Sequence, residues 1–271
     1  MPEPAAIRRV PRAGPGEPSW EVRRYRSVDS TNRLLLDEAR AGAPEGLVVV
    51  ADHQSAGRGR LGRSWEAAPG SALLVSVLVR PRLAPGRLGR VTLAAGSALA
   101  EALADTAAVG ALLKWPNDLV VPGPSGPRKL AGILAEADLG PGAGPGPGPG
   151  AAVVVGIGVN LAADAYPAEL AGLATAVAAE GRPVAVDDLL DAFLAAFDRR
   201  LGRLDAAVDE ARARSATLGT RVRVERGSAP DLVGTALDLD PDGALLVRDD
   251  GGVVHTVTAG DVVHLRAAPG A

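Results

Sequence analysis

The segment Gly57–Trp65 reads Gly-Arg-Gly-Arg-Leu-Gly-Arg-Ser-Trp and carries the residue types of an anion-binding loop. Its glycines permit positive φ angles and a close approach of the backbone to a ligand. Arg58, Arg60 and Arg63 supply guanidinium groups, which suit bidentate binding of phosphate or carboxylate. Trp65 adds a flat apolar face. This combination predicts a flexible loop that folds over an anionic, nucleotide-like ligand.

The same segment also satisfies the G-x-G-x-x-G pattern of dinucleotide-binding proteins. That pattern indicates a nicotinamide or flavin site only between a strand end and a helix start, with an acidic residue about 20 positions on. The predicted strand at 47–51 ends several residues too early, the next apolar run at 72–79 indicates another strand, and Arg and Pro stand near position 82. A dinucleotide site is therefore disfavoured, whereas a solvated basic surface loop remains an alternative.

Other polar segments also lie at the ends of apolar runs, where binding sites are usually built. In Lys-Trp-Pro-Asn-Asp, the proline biases Trp115 toward an extended conformation and so sets the geometry of its polar neighbours. Taken alone, that motif is equally consistent with a capped turn around a buried tryptophan. The polar segments are 30–32 (Ser-Thr-Asn), Gln54 with the following loop, 114–118 and 156–160.

Apolar periodicity predicts the elements that position these residues. Two positions inside the longest predicted helix, Gly96 and Ser97, are compatible with it only if another element packs closely there. We expect strands at 21–27, 47–51 and 72–79, two short apolar runs within 112–121, and paired strands at 129–137 and 151–159. We expect helices from Asp29 or Ser30 to Ala41, over 88–108, and from Asp187 or Asp188 to about Ser215.

Composition limits the domains. Residues 1–18 are rich in Pro, Gly and Arg and predict a disordered tail. We expect a catalytic domain over 19–216, interrupted by a flexible insertion at 140–150 that is almost pure Pro and Gly. Residues 220–266 alternate apolar and polar side chains, with turn signals at Asp242-Gly243 and Asp250-Gly251, and predict a small β-barrel domain over 217–271.

Charge and cysteine content exclude several functions. A net charge of −3 argues against general nucleic-acid binding, so the basic loop indicates a small anionic ligand. The absence of cysteine excludes a thiol nucleophile and a thiolate metal site, and the three histidines have no spacing suited to a metal. The sequence shows no signal-peptide plan and no apolar run near 18 residues, so we expect a cytoplasmic protein with no membrane partner.

Together the motifs resemble those of biotin protein ligases. Gly57–Trp65, Lys114–Asp118, Lys129–Leu134 (Lys-Leu-Ala-Gly-Ile-Leu) and Gly156–Asn160 occur in that family's order and rough spacing, and the resemblance covers about residues 20–266. It implies an α+β fold: a mixed-sheet catalytic domain of the biotin/lipoate ligase type, similar to class II aminoacyl-tRNA synthetases, followed by a C-terminal SH3-like β-barrel. It also implies that ATP, with Mg²⁺, and biotin form biotinyl-AMP and pyrophosphate. The biotinyl group then passes to a lysine of a biotin carboxyl carrier protein.

The resemblance implies roles for individual residues as well. The catalytic set is Arg58, Arg60, Lys114, Asp118 and Lys129, in which Asp118 orients Lys114 or the acceptor lysine. The biotin-binding set is Ser30, Thr31, Asn32, Gln54, Arg58, Gly59, Arg60 and Lys129. The ATP or adenylate set is Arg58, Arg60, Arg63, Trp65, Asn117, Lys129 and Asn160, and no residue is assigned to a metal.

The chain departs from the family pattern in small ways. Asp29 stands where a glycine is usual, about four residues around Pro122–Pro127 are extra, and the N-terminal winged helix of bifunctional members has no counterpart. We therefore predict a monofunctional ligase that binds no DNA and is a monomer or weak homodimer. Two alternatives remain: a non-catalytic biotin-sensing module, and a lipoate or octanoate ligase or transferase of the related fold. The second would lack the Gly-Arg-Gly-Arg loop and the C-terminal barrel arrangement.

Overall fold

The computed structural model describes residues 2–12, 18–138, 151–226, 229–258 and 260–265. Within them the strands are β1 (Ala6–Val10), β2 (Trp20–Tyr25), β3 (Leu47–Ala51), β4 (Ala72–Val79), β5 (Leu112–Lys114), β6 (Asp118–Val121), β7 (Arg128–Asp138), β8 (Ala152–Asn160), β9 (Arg221–Arg226), β10 (Ala229–Leu239), β11 (Leu245–Asp249), β12 (Val254–Val257) and β13 (Asp261–His264). The helices are α1 (Thr31–Arg40), α2 (Gly89–Ala107), α3 (Val177–Glu180), α4 (Val186–Leu201) and α5 (Ala207–Ala213), with short 3-10 turns at 60–62, 85–87, 168–170 and 204–206.

The strands form two sheets in the described residues. The larger has eight strands in the order β1-β2-β3-β4-β8-β7-β6-β5; it is mixed, because β2 and β3 run parallel and the other neighbours run antiparallel. The smaller has five antiparallel strands in the order β12-β11-β10-β9-β13. This arrangement confirms the predicted mixed-sheet catalytic part and the C-terminal run of short antiparallel strands.

Alternation along the central strands divides the large sheet into two faces. One face of β4 and β8 packs against α2 and α4 in the main core; its residues include Leu73, Val75, Val77, Val155 and Ile157. On the other face, Leu78 and Val154 pack against α1. Further along that second face, Leu74 of β4 contacts Trp65. The second face therefore carries α1 at one end and the segment Gly57–Trp65, which we call the Gly/Arg loop, at the other.

Several predicted elements are confirmed. β3 and β4 have the predicted bounds, α2 agrees to within one residue at each end, and β7 and β8 pair as predicted. A Cβ on Gly96 would lie 3.1 Å from Leu113 Cδ2, so another element does pack closely there. The predicted turns at 242–243 and 250–251 also join strands. Asp240 N–H donates to Ala244 O at 2.8 Å across the first turn, and Asp249 N–H donates to Val253 O at 2.9 Å across the second.

Two predictions were wrong: the disorder of the N-terminal segment and the length of the last helix. Residues 6–10 are not disordered: they form β1, which pairs antiparallel with β2, and Arg8 is ion-paired to Asp191 of α4 at 2.7 Å. The helix expected to reach Ser215 ends at Leu201, before Gly202, a residue type with low helix propensity, and resumes as α5. The Pro/Gly insertion at 140–150 lies outside the described residues, between β7 and β8.

The C-terminal sheet packs against the catalytic part beside β5. Thr217 Oγ1 accepts a hydrogen bond from the Trp115 backbone N–H at 3.0 Å, and Trp115 Nε1 donates to Gly243 O at 3.0 Å. Arg90 of α2 donates to Pro241 O at 2.8 Å. These contacts bring the start of β13 next to the second face of the large sheet. In the described part of the chain, no helix is long and apolar enough to cross a membrane.

Candidate active site

A cleft lies on the second face of the large sheet, between the start of α1 and the Gly/Arg loop. Its floor is made by side chains and glycines of β4, β7 and β8 that share this face. The residues that line it are Ser30, Thr31, Asn32, Gln54, Arg58, Gly59, Arg60, Arg63, Ser64, Trp65, Leu74, Asn117, Asp118, Lys129, Gly132, Ile133, Leu134, Gly156, Ile157, Gly158 and Asp261. The structure thus brings together every predicted site residue except Lys114 and Asn160.

The start of α1 forms the polar end of the cleft. Ser30 caps the helix, because its Oγ accepts a hydrogen bond from the Arg33 N–H at 3.4 Å. The backbone N–H and the hydroxyl of Thr31 both donate to Gln54 Oε1, at 2.8 and 3.0 Å. Since the Gln54 oxygen is occupied in this way, its amide N–H groups are the part left to donate to a ligand.

Asn32 is held by the protein itself. Ser76 Oγ donates to Asn32 Oδ1 at 2.6 Å, and Asn32 Nδ2 donates to Leu134 O at 3.1 Å and to Glu136 Oε2 at 2.8 Å. Gly156 makes room for this amide, because a Cβ there would overlap Asn32 Oδ1. Asn32 therefore lines the cleft, but most of its hydrogen-bonding capacity is used by its neighbours.

The Gly/Arg loop folds back on itself above the cleft. The Gly59 N–H bonds Arg63 O at 2.7 Å, and the intervening Leu61 has a positive φ of 54°, which is uncommon for a leucine. Leu61 is exposed at the tip of the turn. Arg58 reaches across the cleft to β7, where its Nη1 lies 3.0 Å from Glu136 Oε1. The loop is therefore tied to the sheet at one of its arginines.

The Trp65 ring lies flat against the floor of the cleft. A Cβ on Gly158 would overlap Trp65 Cε2, and a Cβ on Gly132 would lie 3.0 Å from Trp65 Cζ3, so these glycines provide the space for the indole. Lys129 Nζ lies 5.5 Å from the ring centroid, a cation–π distance. Trp65 Nε1 is buried and has no hydrogen-bond partner among the described residues.

Two cations are fixed by polar groups from the strands around them. Lys129 Nζ, on β7, forms an ion pair with Asp118 Oδ1 of β6 at 2.8 Å. Arg60 Nη1 donates to Asn117 Oδ1 at 3.2 Å, and Asn117 Nδ2 in turn donates to Ile133 O at 2.7 Å. Both cations thereby face the same end of the cleft.

Asp261, the first residue of β13, brings a carboxylate from the C-terminal sheet into the cleft. It is ion-paired with Arg63, and its Oδ1 lies 3.9 Å from Arg60 Nη1, which also donates to Gly260 O at 3.4 Å. Burial lowers the pKa of the Arg60 guanidinium, while Asp261 and Asp118 oppose that shift. The C-terminal sheet therefore contributes directly to the loop end of the site.

Lys114 lies in a small neighbouring cavity behind the cleft, between α2, α5 and the β5–β6 turn. Burial lowers the pKa of its ammonium, and Lys129 and Arg63 lower it further, while Asp118 and Asp261 oppose the shift. Lys114 is therefore electrostatically coupled to the cleft although its side chain does not line it.

Asn160, at the end of β8, is buried, with 3% of its surface exposed. Its Nδ2 donates to Thr175 O at 2.9 Å and to Lys129 O at 3.5 Å. In this structure the Asn160 amide fixes the backbone beside Lys129 and does not reach the cleft.

Sequence reasoning missed several residues of the site. Ser76 had a signal, since it is the one polar residue in the apolar run of β4, and the 2-residue alternation assigns it to the same face as Leu74. Glu136 follows the Lys-Leu-Ala-Gly-Ile-Leu motif on the face of Gly132 and Leu134. Asp261 had no local signal, because its contacts with the loop span about 200 residues of sequence.

The fold and the cleft define a ligase-type protein with a mixed-sheet catalytic part and a C-terminal antiparallel sheet. A family model described as "Biotin/lipoate A/B protein ligase family" matches residues 25–160, and one described as "Biotin protein ligase C terminal domain" matches residues 217–265. The chain belongs to the biotin protein ligase family.

Individual relatives agree with this placement. The biotin--[acetyl-CoA-carboxylase] ligase of Mycobacterium tuberculosis is 40% identical over an alignment of 261 residues. The alignment covers 88% of this chain and 86% of that protein. The bifunctional ligase/repressor BirA of Bacillus subtilis is 29% identical, and the alignment covers 86% of this chain and 70% of that protein. The structure of the Aquifex aeolicus biotin protein ligase in complex with biotin and ATP matches with a TM-score of 0.74 at 24% identity, covering 91% of this chain and 99% of that one. At that identity the structural likeness concerns the fold.

Proposed function

We propose that this chain is an ATP-dependent biotin protein ligase. It joins biotin to AMP, with release of pyrophosphate, and transfers the biotinyl group to a lysine of the biotin carboxyl carrier protein of acetyl-CoA carboxylase. The observation that carries the proposal is one cleft lined both by the uncharged polar side chains at the start of α1 and by the cations Arg60, Arg63 and Lys129, with Arg58 held between them by its ion pair with Glu136. Such a cleft suits a ligand with a neutral polar ring at one end and a carboxylate at the other.

The polar end is proposed to bind the ureido ring of biotin. Ser30 and the amide N–H groups of Gln54 donate to the ureido oxygen, while Thr31 holds the Gln54 amide in that orientation through its two hydrogen bonds. Asn32 completes this wall of the pocket. Leu74 gives the apolar part of biotin a surface to pack against.

The cationic end is proposed to assemble the reacting groups. A biotin carboxylate oxygen attacks the α-phosphorus of ATP and pyrophosphate leaves, so two anions must approach each other. At 4 Å and an effective dielectric near 20, each unit-charge pair repels by about 4 kcal/mol. Arg58, Arg60 and Lys129, with the Gly59 backbone, offset this repulsion and stabilise the charge that develops in the transition state. Lys114 adds to this positive potential from behind the cleft.

The nucleotide is proposed to lie on the loop side of the cleft. Trp65 stacks on the adenine, Arg63 and Asn117 contact the nucleotide, and Asn160 acts from the end of β8. Asp118 is ion-paired with Lys129 at 2.8 Å, so we propose that it orients Lys129 and not, as the resemblance implied, Lys114 or the acceptor lysine. In the second step the acceptor lysine nitrogen attacks the biotinyl carbonyl and AMP leaves. The loop excludes water from the reactive acyl-adenylate until then.

Mg²⁺ enters with ATP. The described residues contain no group of three or more His, Asp or Glu side chains placed to hold a metal ion. The carboxylates at the cationic end, Asp118 and Asp261, each face a lysine or arginine. This donor set fits Mg²⁺ that keeps phosphate oxygens and water as most of its ligands.

We also propose a domain organisation and a cellular setting for the protein. The catalytic domain spans 19–216 and resembles class II aminoacyl-tRNA synthetases, and residues 217–271 form an SH3-like barrel, a description that the antiparallel order of β9–β13 supports. The protein acts in the cytoplasm as a monomer or weak homodimer, with neither DNA nor a membrane as a partner.

Biotin-dependent exchange of pyrophosphate into ATP tests the first half-reaction. We expect exchange with biotin and none with lipoate or octanoate in its place. Exchange with lipoate or octanoate alone would identify the related acyl ligase activity instead. Biotin binding without any exchange would identify a non-catalytic biotin module, so either result would overturn the proposal.

A further inference from the structure

A continuous series of hydrogen bonds runs along the wall of the cleft from Gln54 to Arg58. Thr31 Oγ1 donates to Gln54 Oε1 at 3.0 Å. The single hydroxyl proton of Ser76 is shared between two acceptors, Thr31 Oγ1 at 2.8 Å and Asn32 Oδ1 at 2.6 Å. Asn32 Nδ2 then donates to Glu136 Oε2 at 2.8 Å, and Glu136 Oε1 lies 3.0 Å from Arg58 Nη1. We call this series the polar belt; its members are Gln54, Thr31, Ser76, Asn32, Glu136 and Arg58.

Ser76 is the fully buried member of the polar belt, with none of its surface exposed. It is the single hydroxyl in the strand Ala72–Val79, which is otherwise Ala, Leu and Val. Burial of a hydroxyl in such surroundings costs free energy unless its hydrogen bonds are made. Both of its contacts are with the first turn of α1, so Ser76 fixes the side chains of Thr31 and Asn32.

Glu136 connects the first turn of α1 to the Gly/Arg loop. Glu136 Oε2 accepts from Asn32 at 2.8 Å and from Arg58 Nη1 at 3.4 Å, and Oε1 lies 3.0 Å from the same Nη1. The hydrogen bond and the shortest ion-pair distance from Arg58 both involve Nη1, whereas Nε and Nη2 make no hydrogen bond with the described residues. An oxyanion can therefore bind the Nε and Nη2 groups while Glu136 keeps the guanidinium in place.

We propose that Ser76 and Glu136 are positioning residues for biotin. The polar belt holds the Gln54 amide and the Arg58 guanidinium, the groups proposed to bind the ureido ring and the carboxylate, before biotin enters the cleft. This inference rests on the proposed function and extends it to two residues that do not themselves bind the reacting atoms. Groups that are already ordered lose less conformational freedom on binding, so the polar belt raises affinity without adding a contact.

The test compares Ser76→Ala and Glu136→Gln with matched controls in biotin-dependent pyrophosphate exchange. Ser97→Ala is the control for the loss of a buried serine, because Ser97 Oγ is buried and has no partner among the described residues. Glu169→Gln is the control for the loss of a carboxylate, at an exposed position on the 168–170 turn. For each of the two belt variants we expect the KM for biotin to rise by about 3- to 10-fold, the effect of one lost hydrogen bond. The KM for ATP stays close to that of the controls, and so does the kcat of Ser76→Ala.

A double variant tests whether the two residues act through the same group. Both hold Asn32, so Ser76→Ala combined with Glu136→Gln should raise the biotin KM by less than the product of the single effects. Thermal unfolding establishes that each variant is folded; if Ser76→Ala is not, Glu136→Gln on the rim of the cleft decides the question.

Biotin KM values equal to those of the controls would overturn the proposal, as would equal increases in the KM for biotin and for ATP. Failure of the wild-type protein to catalyse exchange would instead contradict the proposed function. The two failures are therefore distinguishable.

Discussion

The indole of Trp65 lies directly on Gly158, at a point where no side chain could fit between them. Gly158 belongs to β8 in the centre of the large sheet, whereas Trp65 ends the Gly/Arg loop. The contact explains why a glycine stands in a strand that is otherwise rich in valine. It also ties the position of the loop to the most buried part of the fold.

Gly158→Ala should therefore impair the reaction more than it impairs folding. The added methyl group displaces the Trp65 ring and with it the surface proposed for the adenine, and small misplacements of this kind cost roughly 10- to 100-fold in rate. Pyrophosphate exchange measures the loss. Gly172→Ala is the matched control, since a Cβ there meets nothing within 4 Å. Equal activity of the two variants would contradict the proposed role of Trp65.

Arg60→Ala should lower the rate of adenylate formation by about 10²- to 10³-fold, the scale of removing one preorganised donor. Arg60 is held by Asn117 and Gly260, so its guanidinium is oriented before the ligand binds. Pyrophosphate exchange under saturating biotin and ATP measures the effect, and Arg9→Ala, at an exposed position on β1, is the control. A wild-type rate in Arg60→Ala would remove this residue from the catalytic set.

Biotin and ATP together should protect the Gly/Arg loop from trypsin. Arg58 and Arg63 have about half and two thirds of their side-chain surface exposed, so the ligand-free loop offers cleavable bonds. Adenylate formation is expected to engage these arginines and to slow cleavage after residues 58, 60 and 63. Mass spectrometry of the fragments measures the change, with biotin alone and ATP alone as controls. Unchanged cleavage at these three sites would contradict closure of the loop.

His264 should make stability depend on pH between about 4 and 6.5. Burial, and then the charge of Lys114, lower the pKa of His264 to about 4 in the folded protein. The unfolded chain binds a proton near the ordinary value of about 6.5. Across this window the unfolded state therefore holds more protons, so the free energy of unfolding rises with pH and is reduced as pH falls. With a discount for partial exposure, the contribution is about 1–2 kcal/mol.

Urea unfolding of the wild type and of His264→Gln checks this prediction. The difference in unfolding free energy between the two proteins should change across the window. A constant difference between wild type and His264→Gln would contradict the assigned environment of His264.

Local patterns in the sequence were enough to predict much of the fold. The apolar runs of β3 and β4 are so continuous that their bounds were predicted to the residue, and the motifs placed nearly all cleft residues. β1 was missed because its stability comes from pairing with β2 and from Arg8–Asp191, neither of which is visible in a Pro- and Arg-rich segment. Lys114 and Asn160 were assigned to the site from their motifs alone, and only the packing of the folded chain shows that they lie beside the cleft and do not line it.

The most direct test of the account is the intact mass of a biotin carboxyl carrier domain after incubation with this protein, biotin and ATP. We predict a gain of one biotinyl group, which disappears when the acceptor lysine is replaced by arginine or when ATP is omitted. A carrier domain of unchanged mass, under conditions where the protein is folded and binds biotin, would contradict the assignment as a biotin protein ligase.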